Sequence, residues 1–399
     1  MKLKITDVCI SLIYIVSYIF ALTYIYYGYT YAYQWKIISS VPVFVIIVLC
    51  LVYFICRRYI QLEYVGILLF LMVVYELSVS ATRNMFVIPN IFIDVIVWPL
   101  LFWVFLDYSK KGDMPKYVAN IITIIGMTLV CALSTFVVAH QFRFGRSNGG
   151  AVFTTYLSFS FLPFVYLFCS KRASTVFCAI VAIIVVFMMK RAAFIIVIVG
   201  ITLYYIIDSY VAGDRGKKAQ RLLYAMCILL VLVLFGWYLI DTYNIGILSR
   251  LSNSIDDGGS GRTRIWELIL DDYNNSTGRE KLFGHGFHSV FYNLRPFGKA
   301  RFAHDSFIET LYDYGIIGLI LLMSFFCYLI KNAIMMVKSK SATASIMCYT
   351  MVSMIVLTAI SYFFEESVLT IPHVMIWGIC IGKFIREKQC SGFFREDKS

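Results

Sequence analysis

His304 and Asp305 stand side by side in RFAHDSFIETLYDYGIIGL, residues 301–319, with Ser306 and Glu309 just after them. Imidazole and carboxylate exchange protons readily near neutral pH, so this cluster holds the groups needed for general acid–base work. Ser306-Phe307-Ile308-Glu309 also fits the S-x-x-E capping box, which predicts a helix beginning near Phe307 and gives Glu309 a structural use beside a chemical one. His304 then precedes a helix start, where the positive end of the peptide dipole disfavours imidazolium. A neutral ring there either takes a proton or gives a hydrogen bond to an anion, and residue type does not separate the two. Cations supply a second kind of chemistry. Arg143 and Arg146 lie in HQFRFGRSNGG, and Lys190 with Arg191 in MMKRAAF, each between strongly apolar runs. An arginine so close to hydrocarbon is costly unless it faces a partner or a polar cavity, and its fork of donors suits carboxylates and phosphates. Equally, Lys190 and Arg191 can snorkel to lipid headgroups, as cations at helix ends do.

The elements that must carry these groups are membrane helices. Apolar residues make up 60% of the 399 and mean hydropathy is +0.80, against about 45–50% apolar in a soluble domain. The first run, from about Ile5 to Tyr27, is too long for a signal-peptide core and reads as an uncleaved helix. Further runs of spanning length lie near 37–56, 62–80, 87–107, 117–139, 150–170, 173–189, 192–207, 220–240, 313–330, 343–363 and 367–384, about 12 spans in all. Only Lys190 and Arg191 separate the runs 173–189 and 192–207, and a single tilted helix there would invert everything after it. With the N-terminus in the cytoplasm, most of the 35 Lys and Arg fall on the inner side, in CRRY, SKKGDMPK, SKRAS, GDRGKKAQR, KNAIMMVKSK and the C-terminal tail. The positive-inside rule is then satisfied with both termini inside, and all 5 histidines lie toward the outer face.

The chain reads as a single membrane domain over 1–399, all-α and polytopic, with one long outer (periplasmic or extracellular) loop at 241–312. In that loop DDGGSG at 256–261 suggests a hinge. RTRIWELILDDY after it spaces Ile265, Trp266, Ile269 and Leu270 as a short amphipathic helix, lying on the membrane or on the bundle. Gly315 and Gly318 suit close helix packing. The 11 cysteines sit mostly in apolar runs and read as small hydrophobes rather than a disulfide framework. No metal site is expected: His285 and His288 stand in the glycine-rich FGHGFH with no cysteine nearby. A Walker loop, a G-x-S-x-G elbow and a nucleic-acid platform are all missing.

The order of these segments carries more than any one of them. RFGRSNGGAVFTTYLSFSFLPF, then KRAAF, SGRTRIWELIL, LFGHGF and AHDSFIETLYDYGIIGL together resemble the O-antigen polymerase and O-antigen ligase superfamily over roughly 140–330. Members show an asparagine and glycine turn, an S-R-G-like step, an R-x-x-x-W or Y segment, a G-x-G, and a histidine-asparagine pair opening a helix with G-x-x-G-L. By that resemblance Arg191 takes the position of the membrane-embedded arginine, with Lys190 and Ala192 replacing serine and glycine. Arg262, four before Trp266, takes that of the second arginine, with Arg264 its close rival. His304 takes that of the histidine, with Asp305 where asparagine is more frequent.

The resemblance implies a GT-C-like fold and transfer of a glycan from a polyprenyl diphosphate carrier at the outer face of a bacterial inner membrane, without metal or other cofactor. Breaking the bond from sugar to phosphate builds charge on a diphosphate, which two arginines can stabilise. The acceptor hydroxyl needs a base, for which His304 is the first candidate and Asp305 or Glu309 the reserve. Arg143, Arg146, Arg264, Arg301 and Lys190 would hold diphosphate or acidic sugars. Undecaprenyl-diphosphate-linked glycans, as donor and acceptor, and the bilayer are the partners implied, with a chain-length regulator and a flippase beside them and no nucleic acid. Polymerisation of repeat units is the preferred outcome. The alternatives are ligation of finished polymer to lipid A core and, in another class, a flippase.

Overall fold

The structure, a computed structural model, describes residues 4–30, 35–57, 63–83, 90–144, 149–188, 191–213, 262–293, 302–361, 363–365 and 367–390. Among them the chain is helical throughout, without a strand. In hydrocarbon a backbone must satisfy its own polar groups, and a helix does so within one segment. The long helices are α1 (Ile5–Thr30), α2 (Trp35–Cys56), α3 (Tyr64–Thr82), α4 (Asn90–Lys111) and α5 (Lys116–Phe144). The short rods α6 (Gly149–Ser160) and α7 (Leu162–Phe168) follow, then α8 (Lys171–Met188), α9 (Arg191–Ile195), a π-turn at Ile196–Gly200, and α10 (Ile201–Ala212). Three short helices belong to the polar segment: α11 (Arg262–Asn275), α12 (Gly278–Phe283) and α13 (Ser289–Asn293). The chain then returns to the bundle as α14 (Ser306–Lys338), α15 (Ala344–Ile360) and α16 (Ser367–Cys390). Helix stands in each expected span except 220–240, which lies outside the described residues, as does the DDGGSG stretch. Of these helices, 6 are long and apolar enough to cross a membrane, which makes this a multi-pass membrane protein.

One end of the bundle is a polar layer. Tyr108 gives its hydroxyl to Asp7, Arg57 pairs with Asp107, and Lys383 and Arg386 hold Asp113. Ser341 binds Glu387, Lys340 lies over the Tyr210 ring, Asn120 caps the Phe168 carbonyl, and Ser174 bonds Val165 O. Thus α8 begins and α10 ends at this same end, so α8 and the α9–α10 rod are two antiparallel spans and not one tilted helix. At the centre, 17 of the 24 residues of α16 are buried. Gly378 and Gly382, one turn apart, let it lie against the α4 backbone: a Cβ on Gly378 would meet Phe102 O at 2.8 Å, and one on Gly382 would meet Leu106 O at 2.7 Å. Small residues bring membrane helices together in this way.

His373 does not face the outer surface. It is 1% exposed, between α15 and α16, bonded through Nε2 to Ser353 and through Nδ1 to Leu369 O. A buried imidazole with both nitrogens satisfied is a packing group.

Candidate active site at the start of α14

The helix that follows His304 is capped differently from the expectation. Asp305 is the N-cap, extended at φ −151°, and its Oδ1 accepts from the N–H groups of Phe307 at 2.9 Å and Ile308 at 3.0 Å. Ser306 is therefore the first helical residue, and the Ser306–Glu309 capping box does not form. A carboxylate one residue earlier reaches the orphan amides of the first turn at least as well as a serine hydroxyl. The two groups freed by this shift bind elsewhere. Ser306 Oγ donates to Ser361 O at 3.3 Å, and the Glu309 carboxylate accepts from Ala303 N at 3.2 Å. Burial pushes the Asp305 carboxyl above its ordinary range, against the pull of the Ile308 and Phe307 amides. The cap also accounts for one departure from the family pattern: asparagine and aspartate are equally good N-caps, so the Asp305 variant keeps the backbone geometry.

Helix α11 meets this helix start. Its buried face is Ile265, Ile269 and Tyr273, packed on Ala303 and Tyr312, while Leu270 is 38% exposed. The amphipathic pattern thus seats the helix against the start of α14. Arg262 lies on the inner side of α11, and Nη1 donates to Ile360 O at 2.9 Å, one of the carbonyls left open where α15 ends. One turn on, Trp266 Nε1 donates to Ala303 O at 2.7 Å. Since Arg262 bonds Ile360 and Ser306 bonds Ser361, the guanidinium and the His304–Ser306 segment meet at the same end of α15. Arg264 is exposed on the other side of the helix.

Arg191 opens α9. A Cβ on Gly200 would touch Tyr349 at 3.0 Å, and Lys340 covers Tyr210, so the α9–α10 rod runs antiparallel to α15. Arg191, nine residues before Gly200, thus lies toward the end of α15 at which Arg262 bonds Ile360 O. The side chains of Arg191 and of Arg143, in α5, and the whole of Arg146, Lys190 and Arg301 lie outside the described residues.

His304 is half-buried with φ 54°, in the left-handed region, which histidine enters more readily than most side chains. Ala303 before it is fully buried with both backbone groups bonded, and Asp305 after it is tied to the first helical turn.

Below this point α14 breaks. Gly315 has φ 67° and ψ −168°, conformational space that only glycine occupies readily, and the open carbonyls of the broken turn are taken by the glycine-flanked loop after α12. His285 N donates to Tyr312 O at 3.1 Å, Gly286 N to Asp313 O at 2.8 Å, and the Tyr75 hydroxyl to Tyr314 O at 2.8 Å. His285 Nδ1 also faces Tyr312 O at 3.0 Å; a carbonyl only accepts, so this nitrogen carries the proton, and Nε2 lies 3.0 Å from Ser276 Oγ. With its ring stacked on Tyr312 at 4.3 Å, His285 is a bracket between loop and helix. The Thr277–Glu280 capping box opens α12, and the backbone N–H and hydroxyl of Thr277 hold the Glu280 carboxyl below the ordinary range. Gly318 receives the Tyr314 side chain of its own helix at the break, and the nearest neighbour from another helix, Tyr75 of α3, would lie at an ordinary 3.6 Å from an added Cβ, so its closest packing is within α14.

Two acids that matter here are not explained by motif. Asp313, fully buried, accepts from Val290 N at 3.2 Å and so ties α13 to α14, and Asp272 takes the Tyr312 hydroxyl. The available signal for Asp313 was its place four residues after Glu309 in an otherwise apolar helix.

Among the described residues no group of three or more His, Cys, Asp and Glu side chains is arranged to hold a metal ion. The arrangement instead brings a bonded guanidinium and the segment of a half-buried histidine to one end of α15, at the bundle end away from the layer of Asp7, Asp113 and Glu387. No curated protein matches the chain. A family model described as O-antigen ligase matches residues 175–323, a stretch that contains Arg191, Arg262, Trp266 and His304 and leaves out Arg143 and Arg146. Across 175–323 the chain thus carries the O-antigen ligase family's pattern, in agreement with the O-antigen polymerase and ligase superfamily that its motifs resemble.

Proposed function

We propose that this chain is a glycosyltransferase that polymerises polyprenyl-diphosphate-linked oligosaccharide repeat units into O-antigen or capsular polysaccharide. The observation that carries the reading is that Arg262 and the His304 segment, both within the stretch matched by the O-antigen ligase model, meet at the end of α15. The acceptor hydroxyl oxygen attacks sugar C1 of the donor as the C1–O bond to the carrier breaks, so configuration inverts. The electron pair leaves with the diphosphate, whose charge Arg262 and Arg191 stabilise, and His304 takes the hydroxyl proton. Arg264, Arg143, Arg146, Arg301 and Lys190 serve as outer cations for diphosphate or acidic sugars.

In this reading the chain is one GT-C-like membrane domain of about 12 spans in the bacterial inner membrane. The polar layer at Asp7, Asp113 and Glu387 is cytoplasmic, both termini lie on that side, and 241–312 is the periplasmic or outer loop. Donor and acceptor are undecaprenyl-diphosphate-linked glycans; a flippase supplies them and a chain-length regulator limits the product.

Arg191→Ala and His304→Ala test the chemistry: surface polysaccharide shortens to single repeat units while protein level in the membrane holds. Unchanged chain length at normal protein level rejects it. The description of the matched family favours a second reading, ligation of finished polymer to lipid A core, which uses the same donor and site with a different acceptor. Purified protein given lipid-linked repeat units from cells lacking this chain, without lipid A core, separates the two. A ladder of longer chains supports polymerisation, and its absence, with transfer once core is added, supports ligation.

A further inference from the structure

We propose that Trp266 and Glu309 are positioning residues that clamp the peptide before His304 and so aim its imidazole; this rests on the reading of His304 as proton acceptor. Ala303 is the point of purchase. It is 0% exposed, its carbonyl accepts from Trp266 Nε1 at 2.7 Å, and its N–H donates to Glu309 at 3.2 Å. The next residue, His304, turns at φ 54°, and Asp305 then binds the Phe307 and Ile308 amides at 2.9 and 3.0 Å. The histidine is thus bracketed on both sides by side chains that hold backbone, in a conformation that costs a non-glycine residue free energy and persists only where neighbours over-determine it.

The clamp also links the two halves of the site. Trp266 lies one turn after Arg262 on α11, so one rigid helix carries both the guanidinium bonded to Ile360 and the indole that holds Ala303. Glu309, one turn into α14, completes the grip from the helix that His304 precedes. A base must sit within hydrogen-bond reach of the hydroxyl it serves, and misplacement by about 1 Å can cost roughly a hundredfold in rate. Neither Trp266 nor Glu309 touches the reacting atoms in this scheme; both act through the direction they give His304.

The test uses purified full-length protein in detergent and the lipid-linked repeat unit extracted from cells lacking this chain. Trp266→Phe keeps the ring and removes only the N–H; we expect kcat to fall about tenfold with KM for the donor within twofold. Glu309→Gln keeps an acceptor oxygen for Ala303 and holds kcat within about threefold, whereas Glu309→Leu falls as far as Trp266→Phe. In a His304→Ala background Trp266→Phe adds no further loss, because the group it aims is gone. Additive losses there, a change confined to KM, or a kcat for Trp266→Phe equal to wild type would overturn the clamp. So would equal losses in Glu309→Gln and Glu309→Leu. Should Trp266→Phe fail to accumulate, the Glu309 pair carries the comparison, with thermal midpoints checking that both variants fold. The underlying reading fails separately: if His304→Ala itself keeps wild-type kcat, His304 is not the base.

Discussion

Gly315→Ala probes the joint between the polar segment and the bundle. The added Cβ would stand 2.5 Å from Leu282 O, where ordinary contact begins at 3.4 Å, so the loop after α12 must withdraw by about 0.9 Å. His285 N to Tyr312 O and Gly286 N to Asp313 O, now 3.1 and 2.8 Å, would then exceed hydrogen-bond length. Alanine at φ 67°, ψ −168° adds of order 1–3 kcal/mol of backbone strain, and each of the two amides left open adds about 1 kcal/mol, giving about 3–5 kcal/mol against the docked loop. Such a loss raises the local opening constant roughly 100- to 5000-fold. Hydrogen exchange followed by mass spectrometry, on peptides spanning 284–288 in detergent micelles, reads this directly. Gly278→Ala is the control, since nothing lies within 4 Å of its added Cβ. If the Gly315→Ala peptides exchange within threefold of wild type while the control behaves normally, the close crossing of Gly284 and Gly315 does not hold the loop.

Other outcomes follow from the same geometry. Asp305→Asn keeps the cap and activity within about twofold, whereas Asp305→Ala loses about 1 kcal/mol of cap, read as faster exchange at Phe307 and Ile308; a dead Asp305→Asn with normal exchange would instead make Asp305 the base. Gly382→Val forces α16 off the Leu106 carbonyl of α4 and lowers the folded fraction in detergent by an amount equivalent to roughly 1–3 kcal/mol, and unchanged folding would discount that packing. Partial burial alone would raise the Asp113 carboxyl, but Lys383 and Arg386 outweigh it and hold it below the ordinary 3.8. Its stabilising effect is therefore full above pH 3.8 and is lost as pH falls through the lower folded value. Asp113→Asn should lower the thermal midpoint at pH 7, and the gap to wild type should close below pH 3.8; a gap independent of pH would show that charge is not its basis.

Composition and periodicity sufficed for the class of fold, because a hydrocarbon solvent leaves an apolar chain little choice but self-bonded helices. They also marked the seat of α11 through Ile265 and Ile269, and the helix after His304. What they could not yield was which polar groups meet across long separations in the chain. Asp305 displaced Ser306 as the cap because Ser361, 55 residues away, offered the serine hydroxyl a carbonyl, and Ala303 took the Glu309 carboxylate. Arg262 was visible as a motif residue, but its bond to Ile360, 98 residues on, depends on where α15 ends. The reversal between α8 and α9 was open in the sequence, since two cations between apolar runs fit one helix or two, and it was decided by the bonds that gather Ser174, Tyr210 and Lys340 at one end. Residue type and local spacing determine what a segment can do; which partner it finds is a property of the packed bundle, where a buried donor or acceptor must be satisfied by whatever the tertiary structure brings within about 3 Å.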